Sequence, residues 1–172
     1  GPSLRGRVVD SRSLPVADAL VLWWTASGAL RTATTDGDGR YVVPRITAEP
    51  GQAWVCVPDA TRSLNTELPA VGRAVTPGEA DFVLDERVCA GSLRIPVAVP
   101  DGLDVASISA RMWQQASGIG VRLVRANAPN GELVFGRDRL PVGDYRIELY
   151  CPGLGRIDVG FARIDGTTRT TL

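Results

Sequence analysis

The chain has 172 residues, 44% hydrophobic and 22% charged, with 19 basic residues balanced by 19 acidic ones. That composition makes a globular chain of one or two domains. Zero net charge lacks the basic excess that a phosphate-tracking surface needs, so nucleic acid is not expected as a partner. Every basic residue is Arg; there is no Lys and no His. Ser-His-Asp and Cys-His catalysis, imidazole metal ligation and Lys Schiff-base chemistry are thereby removed.

Gly1-Pro2 reads as the scar of a cleaved tag and is set aside. The longest apolar run, Ala19–Trp24, is far short of a membrane span, so no membrane insertion is expected. No long 3.6-residue period is present. Short runs of Val, Ile, Leu and aromatics alternate with Gly, Pro and Asp clusters, at the spacing of all-β folds. In the first half the predicted strands are Leu4–Asp10, Ala19–Thr25, Leu30–Thr34, Arg40–Val43, Gln52–Val57, Gly72–Val75 and Glu79–Leu84. In the second they are Ser92–Val99, Ser107–Gln114, Ile119–Arg125, Glu132–Phe135, Asp144–Cys151, Arg156–Ile164 and Thr167–Leu172.

Within Asp144–Cys151, Tyr145, Ile147, Leu149 and Cys151 share one face. Asp144, Arg146, Glu148 and Tyr150 share the other, which places an opposite-charge pair on the wet side. Ile119, Val121 and Leu123 alternate in the same way, and Ile157, Val159 and Phe161 are read as a third such face. Asp36-Gly37-Asp38-Gly39, Pro129-Asn130-Gly131 and Leu140-Pro141-Val142-Gly143 are turns. Arg137-Asp138-Arg139 reads as a solvated turn.

The halves repeat one another. PVADALVLWW, ending at Trp24, parallels DVASISARMW, ending at Trp113, and each runs on to a turn, TTDGDGRYVV or ANAPNGELVF. The expected architecture is all-β: two tandem seven-stranded immunoglobulin- or transthyretin-like β-sandwich domains, residues 3–86 and 87–172. They are joined by the short, stiff stretch Asp85–Val88.

The pattern resembles the carboxypeptidase regulatory-like domain, a transthyretin-like sandwich. The first half supplies Gly6, Val8, Val9 and Asp10, then Pro15, Val16, Ala19 and Val21, then Thr35, Asp36, Gly39 and Tyr41. The second supplies Val105, Gly131, Leu140, Pro141, Gly143 and Tyr145. The first half departs at Ala53, read as standing where the closing-strand Tyr belongs; the second has Asn127-Ala128 for the Thr-Asp pair. The resemblance implies a fold, not an activity. It implies a non-catalytic appendage, of a kind often found in exported or cell-surface proteins, acting as a spacer, stabiliser or binding module.

An EF-hand reading of Asp36–Gly39 fails, because Tyr41 and Thr47 stand where Gly and Glu are needed. Gly118-Ile119-Gly120 lacks the strand-to-helix context of a dinucleotide site. No carboxylate pair can be placed across a cleft. No cofactor or metal is expected. In a sandwich with sheet order A-B-E, the fifth and seventh strands end at one pole. Cys56 and Cys89 are therefore a candidate disulfide in an oxidising compartment, stabilising by about 4 kcal/mol in the chain-entropy picture. Cys151 ends the equivalent strand of the second half, and its counterpart partner would fall past Leu172. Three buried thiols, or a Cys89–Cys151 bond, are the alternatives.

Trp23 and Trp24 must point to opposite faces of their strand, one of them into the core. Trp23, Trp24 and Trp54 are the candidate ligand or partner contacts, and Trp24 matches Trp113 across the repeat. The expected function is a non-enzymatic spacer or docking segment of a larger bacterial protein, exported, periplasmic or at the cell surface. Its partners would be the neighbouring domains of the parent protein, with another protein or a carbohydrate as a further partner. The alternatives are a carbohydrate- or protein-binding module using an exposed Trp, and an accessory domain of an enzyme whose catalytic part lies elsewhere.

Overall fold

The computed structural model describes residues 1–56, 68–99, 101–127, 132–166 and 169–171. The described residues form β-strands, with two short 3-10 turns at Glu86–Cys89 and Val105–Ser107. The chain divides into two compact units, Gly1–Glu86 and Arg87–Leu172.

Unit 1 is a β-sandwich. One sheet contains β1 (Leu4–Val9), β4 (Arg40–Val43), β7 (Gly78–Glu79) and β8 (Phe82–Val83), with the last two pairing parallel to β1. The other has the order β3 (Leu30–Thr34), β2 (Leu20–Trp24), β5 (Gly51–Cys56), β6 (Pro69–Val75). Leu4, Val8, Tyr41, Val43 and Phe82 from the first sheet close on Val21, Trp23, Ala53 and Val55 from the second. The alternation of apolar and polar residues along each strand makes this layering possible. The seventh strand, expected to run unbroken over Glu79–Leu84, is split. Asp81 Oδ1 takes the Arg7 N–H at 2.7 Å, and a Cβ on Gly6 would run into Ala80.

The turns follow their side-chain chemistry. Asp36 Oδ1 accepts from the N–H groups of Asp38 and Arg40, and Gly39 takes φ 73°. Thr35 Oγ1 accepts from Ala19 N–H and donates to Val16 C=O, tying the strand ends. Pro2 is not idle: its carbonyl accepts from Ile46 N–H at 3.1 Å.

Unit 2 also has two sheets. One sheet runs β12 (Val124–Asn127), β13 (Leu133–Leu140), β9 (Gly91–Val97), β16 (Arg169–Thr171), with β16 parallel to β9. The other runs β11 (Gly120–Arg122), β10 (Ser109–Gln114), β14 (Gly143–Cys151), β15 (Gly155–Ile164). The order β11-β10-β14-β15 reproduces β3-β2-β5-β6. Similar turn hydrogen bonds allow the two units to be aligned. Thr25 N–H and C=O engage Ala29 and Gly28, while Gln114 N–H and C=O engage Ile119 and Gly118. Trp24 and Trp113, one residue earlier, are therefore equivalent.

Four sequence expectations change in detail. The single strand expected over Ile119–Arg125 breaks at Leu123, whose N–H goes to Ala110 C=O, and Val124 begins pairing in the other sheet. Arg137-Asp138-Arg139 lies inside β13 at a register shift, with Arg139 at φ 56°, instead of forming a separate turn. Ile157, Val159 and Phe161 do not share a buried face. A bulge opposite Ile147/Glu148 flips the alternation, so Ala162 and Ile164 are buried while Phe161 is 67% exposed. Finally, Trp24 pairs with Gln52 and Trp113 with Arg146, which makes Gly51, not Ala53, the counterpart of Tyr145. The turn at Pro129-Asn130-Gly131 lies outside the described residues, as do Thr167, Thr168 and Leu172 of the last expected strand.

Candidate functional site

In both units the sheet built around β2 or β10 turns one face to the core and one outward. On the outer face of unit 1, cross-strand pairing lays Leu30, Trp24 and Gln52 in one row and Thr32, Leu22, Trp54 and Gly72 in the next. Trp24 and Trp54 are half-buried, their ring planes within 5° of parallel and their centroids 6.2 Å apart. A Cβ on Gly72 would strike the Trp54 ring, so the indole lies flat across β6. Such a flat, partly wet aromatic pair can stack on a sugar ring or anchor a protein partner.

Trp23 does not belong to this surface. It is fully buried, covers Gly51, and its Nε1–H finds no acceptor among the described residues. Adjacent residues of a strand face opposite ways, so Trp23 fills the core while Trp24 faces out. The sequence-derived trio of Trp23, Trp24 and Trp54 thus reduces to a pair.

The equivalent face of unit 2 has different chemistry. Arg122, Arg111, Glu148 and Asp158 form one row; Gly120, Trp113, Arg146 and Phe161 form another. Ser109, Arg111, Trp113, Arg122, Glu148, Tyr150 and Arg156 line a concavity of about 230 Å³. Glu148 is only 7% exposed and is held by Arg146 at 3.3 Å and Arg156 at 3.6 Å; Arg146 also meets Asp158 at 2.9 Å. The expected opposite-charge pair on this strand therefore forms, with its carboxylate nearly buried. The concavity escaped the sequence reading because its arginines come from three strands. The alternation of Ser109, Arg111 and Trp113 was the available signal.

Cys56, Cys89 and Cys151 are all buried. Cys56 closes β5 of unit 1. Cys89 ends the 3-10 turn of unit 2. Cys56 and Cys151 end equivalent strands one residue out of step: Tyr150 pairs with Ser109 as Cys56 pairs with Leu20. The two buried tyrosines are structural. Tyr41 Oη donates to Ala80 C=O at 2.5 Å and Tyr145 Oη to Pro141 C=O at 2.7 Å, and burial pushes both phenols well above their ordinary range. No cluster of metal-ligating side chains occurs among the described residues, and no described helix is long and apolar enough to cross a membrane.

No protein-family model matches the chain, and no curated protein matches it. Solved structures resemble it at low identity. The minor pilin of Streptococcus agalactiae is 12% identical with a TM-score of 0.44, covering 100% of this chain and 94% of that one. A streptococcal ancillary pilin is 12% identical with a TM-score of 0.38, covering 99% and 61%. Fervidolysin from Fervidobacterium pennivorans, a keratinolytic enzyme related to subtilisin, is 15% identical with a TM-score of 0.36, covering 96% and 30%. The chain thus spans less than two thirds of the latter two. Likeness at this level carries no functional information.

Proposed function

We propose that this chain is a non-catalytic spacer and docking segment of a larger, exported or surface-associated bacterial protein. It would consist of two copies of one carboxypeptidase regulatory-like sandwich, residues 3–86 and 87–172. The shared strand order of the two units supports the duplication. The observation that carries the docking role is the Trp24–Trp54 pair, held parallel and half-exposed on an outer sheet face. Two neighbouring indoles that stay partly accessible offer the kind of flat aromatic area that partner contacts use. The residue types present also disfavour turnover, since the chain contains neither His nor Lys.

Two measurements test this reading. A panel of hydrolase and transferase substrates should give no turnover with the purified chain; activity abolished by one point substitution would overturn the proposal. Trp24→Ala with Trp54→Ala should leave the fold intact by circular dichroism while lowering capture of neighbouring domains of the parent protein, or of a glycan, on an array. Unchanged capture would remove the docking role.

A further inference from the structure

We propose that the concavity on the outer face of β11-β10-β14-β15 binds an anionic sugar, a pyranose carrying a carboxylate or a sulfate. Arg111 and Arg122 face one another directly across β10 and β11. Like charges in that position, with Cβ atoms about 5 Å apart, repel and weaken the sheet. The nearest cross-strand acid does not neutralise them. Glu148 stands opposite Arg111, yet its two oxygens go to Arg146 and Arg156. Neither Arg111 nor Arg122 has an ion-pair partner among the described residues. With Asp144 and Arg163, which pair across β14 and β15, the face sets five arginines against three carboxylates, in a chain that is neutral overall.

The second half of the recognition is aromatic. Trp113 lies flat on Gly120, where a Cβ would come within 2.5 Å of the indole. One ring face rests on the backbone, which leaves the other for a ligand. Tyr150, 52% exposed, also lines the concavity. A planar guanidinium grips a carboxylate or sulfate through paired N–H donors, while the C–H face of a pyranose packs on an indole. A neutral sugar would leave the Arg111–Arg122 repulsion in place. An acidic peptide would answer the charge but has no need of the flat rings.

The test is calorimetric titration of the intact chain with a galacturonate hexamer, a heparin-derived hexasaccharide, cellohexaose and hexaglutamate. At least one anionic sugar should bind, with affinity falling as salt rises. Cellohexaose should not bind. Arg111→Gln and Arg122→Gln, both at exposed positions, should each weaken binding about tenfold or more, with an unchanged circular dichroism spectrum. Binding of the uronate alone or of the sulfated sugar alone supports the site and identifies its anion. Failure of both anionic sugars, hexaglutamate binding as tightly as they do, or unchanged affinity in both arginine variants would overturn it. Trp24→Ala with Trp54→Ala should not affect this binding, so failure here leaves the spacer and docking reading untouched.

Discussion

At one equivalent place in the two cores, unit 1 has Trp23 covering Gly51, and unit 2 has Met112 diagonal to Tyr145. The aromatic ring sits on β2 in unit 1 and on β14 in unit 2. The two interiors are thus filled from different strands. The outer faces differ as well. Unit 1 carries the apolar rows of Trp24, Trp54, Leu22 and Leu30, and unit 2 carries arginines around Trp113. One strand order thus supports two surfaces of different chemistry.

Breaking the core side of this comparison should give the largest effects. Trp23→Ala should destabilise unit 1 by about 3–5 kcal/mol through the cavity it leaves. Hydrogen exchange read by peptide should show protection lost in residues 4–56 and retained in residues 91–127. Gly51→Ala should cost about 1–3 kcal/mol, because the added methyl meets the Trp23 indole at 2.7 Å. Trp23→Met combined with Gly51→Tyr, which copies unit 2, should cost less than the sum of the single changes in urea unfolding. Strict additivity would show that the two positions are not coupled.

The buried tyrosines separate the units more gently. Tyr145 has two partners, donating to Pro141 C=O and accepting from Gln114 Nε2–H at 3.4 Å, whereas Tyr41 has Ala80 C=O. Each Phe replacement should cost on the order of 1 kcal/mol, with Tyr145→Phe the costlier because it strands two groups. Burial raises both phenol pKa values above the unfolded range. The folded state therefore holds its phenolic protons more tightly than the unfolded chain. That stability is fully present below about pH 10 and is lost as pH rises beyond it. In urea midpoints measured from pH 9 to about pH 11, the Phe variants should fall less steeply than the parent; equal slopes would assign alkaline unfolding to other groups.

The strand pattern was legible because each half alternates apolar and polar residues between turns whose residues state their geometry, as at Asp36–Gly39 and Leu140–Gly143. What stayed hidden depends on register. The bulge opposite Ile147/Glu148 reverses the faces of Ile157 and Phe161 without any change in composition. The equivalence of Gly51 and Tyr145 emerges only when β2 is paired with β5, and β10 with β14. Trp24 could be paired with Trp113 from the repeat, and Trp23 with the core from its adjacency. The partnership of Trp24 with Trp54 required knowing that Trp54 lies one row away. The arginine concavity joins residues from β10, β11, β14 and β15, a set that no local window contains.

The smallest expected effect carries the opposite sign and bears on the outer faces. Replacing Arg111 by Gln removes one of two like charges standing opposite each other on β10 and β11. Unit 2 should become more stable by a few tenths of a kcal/mol, within the range of a cross-strand pair. Both side chains are exposed, so the gain is electrostatic and screened, and it should shrink in about 1 M salt. No such gain should follow Leu30→Gln on the matching face of unit 1, where no charge is opposed. A salt-independent change in Arg111→Gln would mean that the guanidinium acts through packing. The pair would then be ordinary surface, and not a cost that unit 2 bears for a ligand.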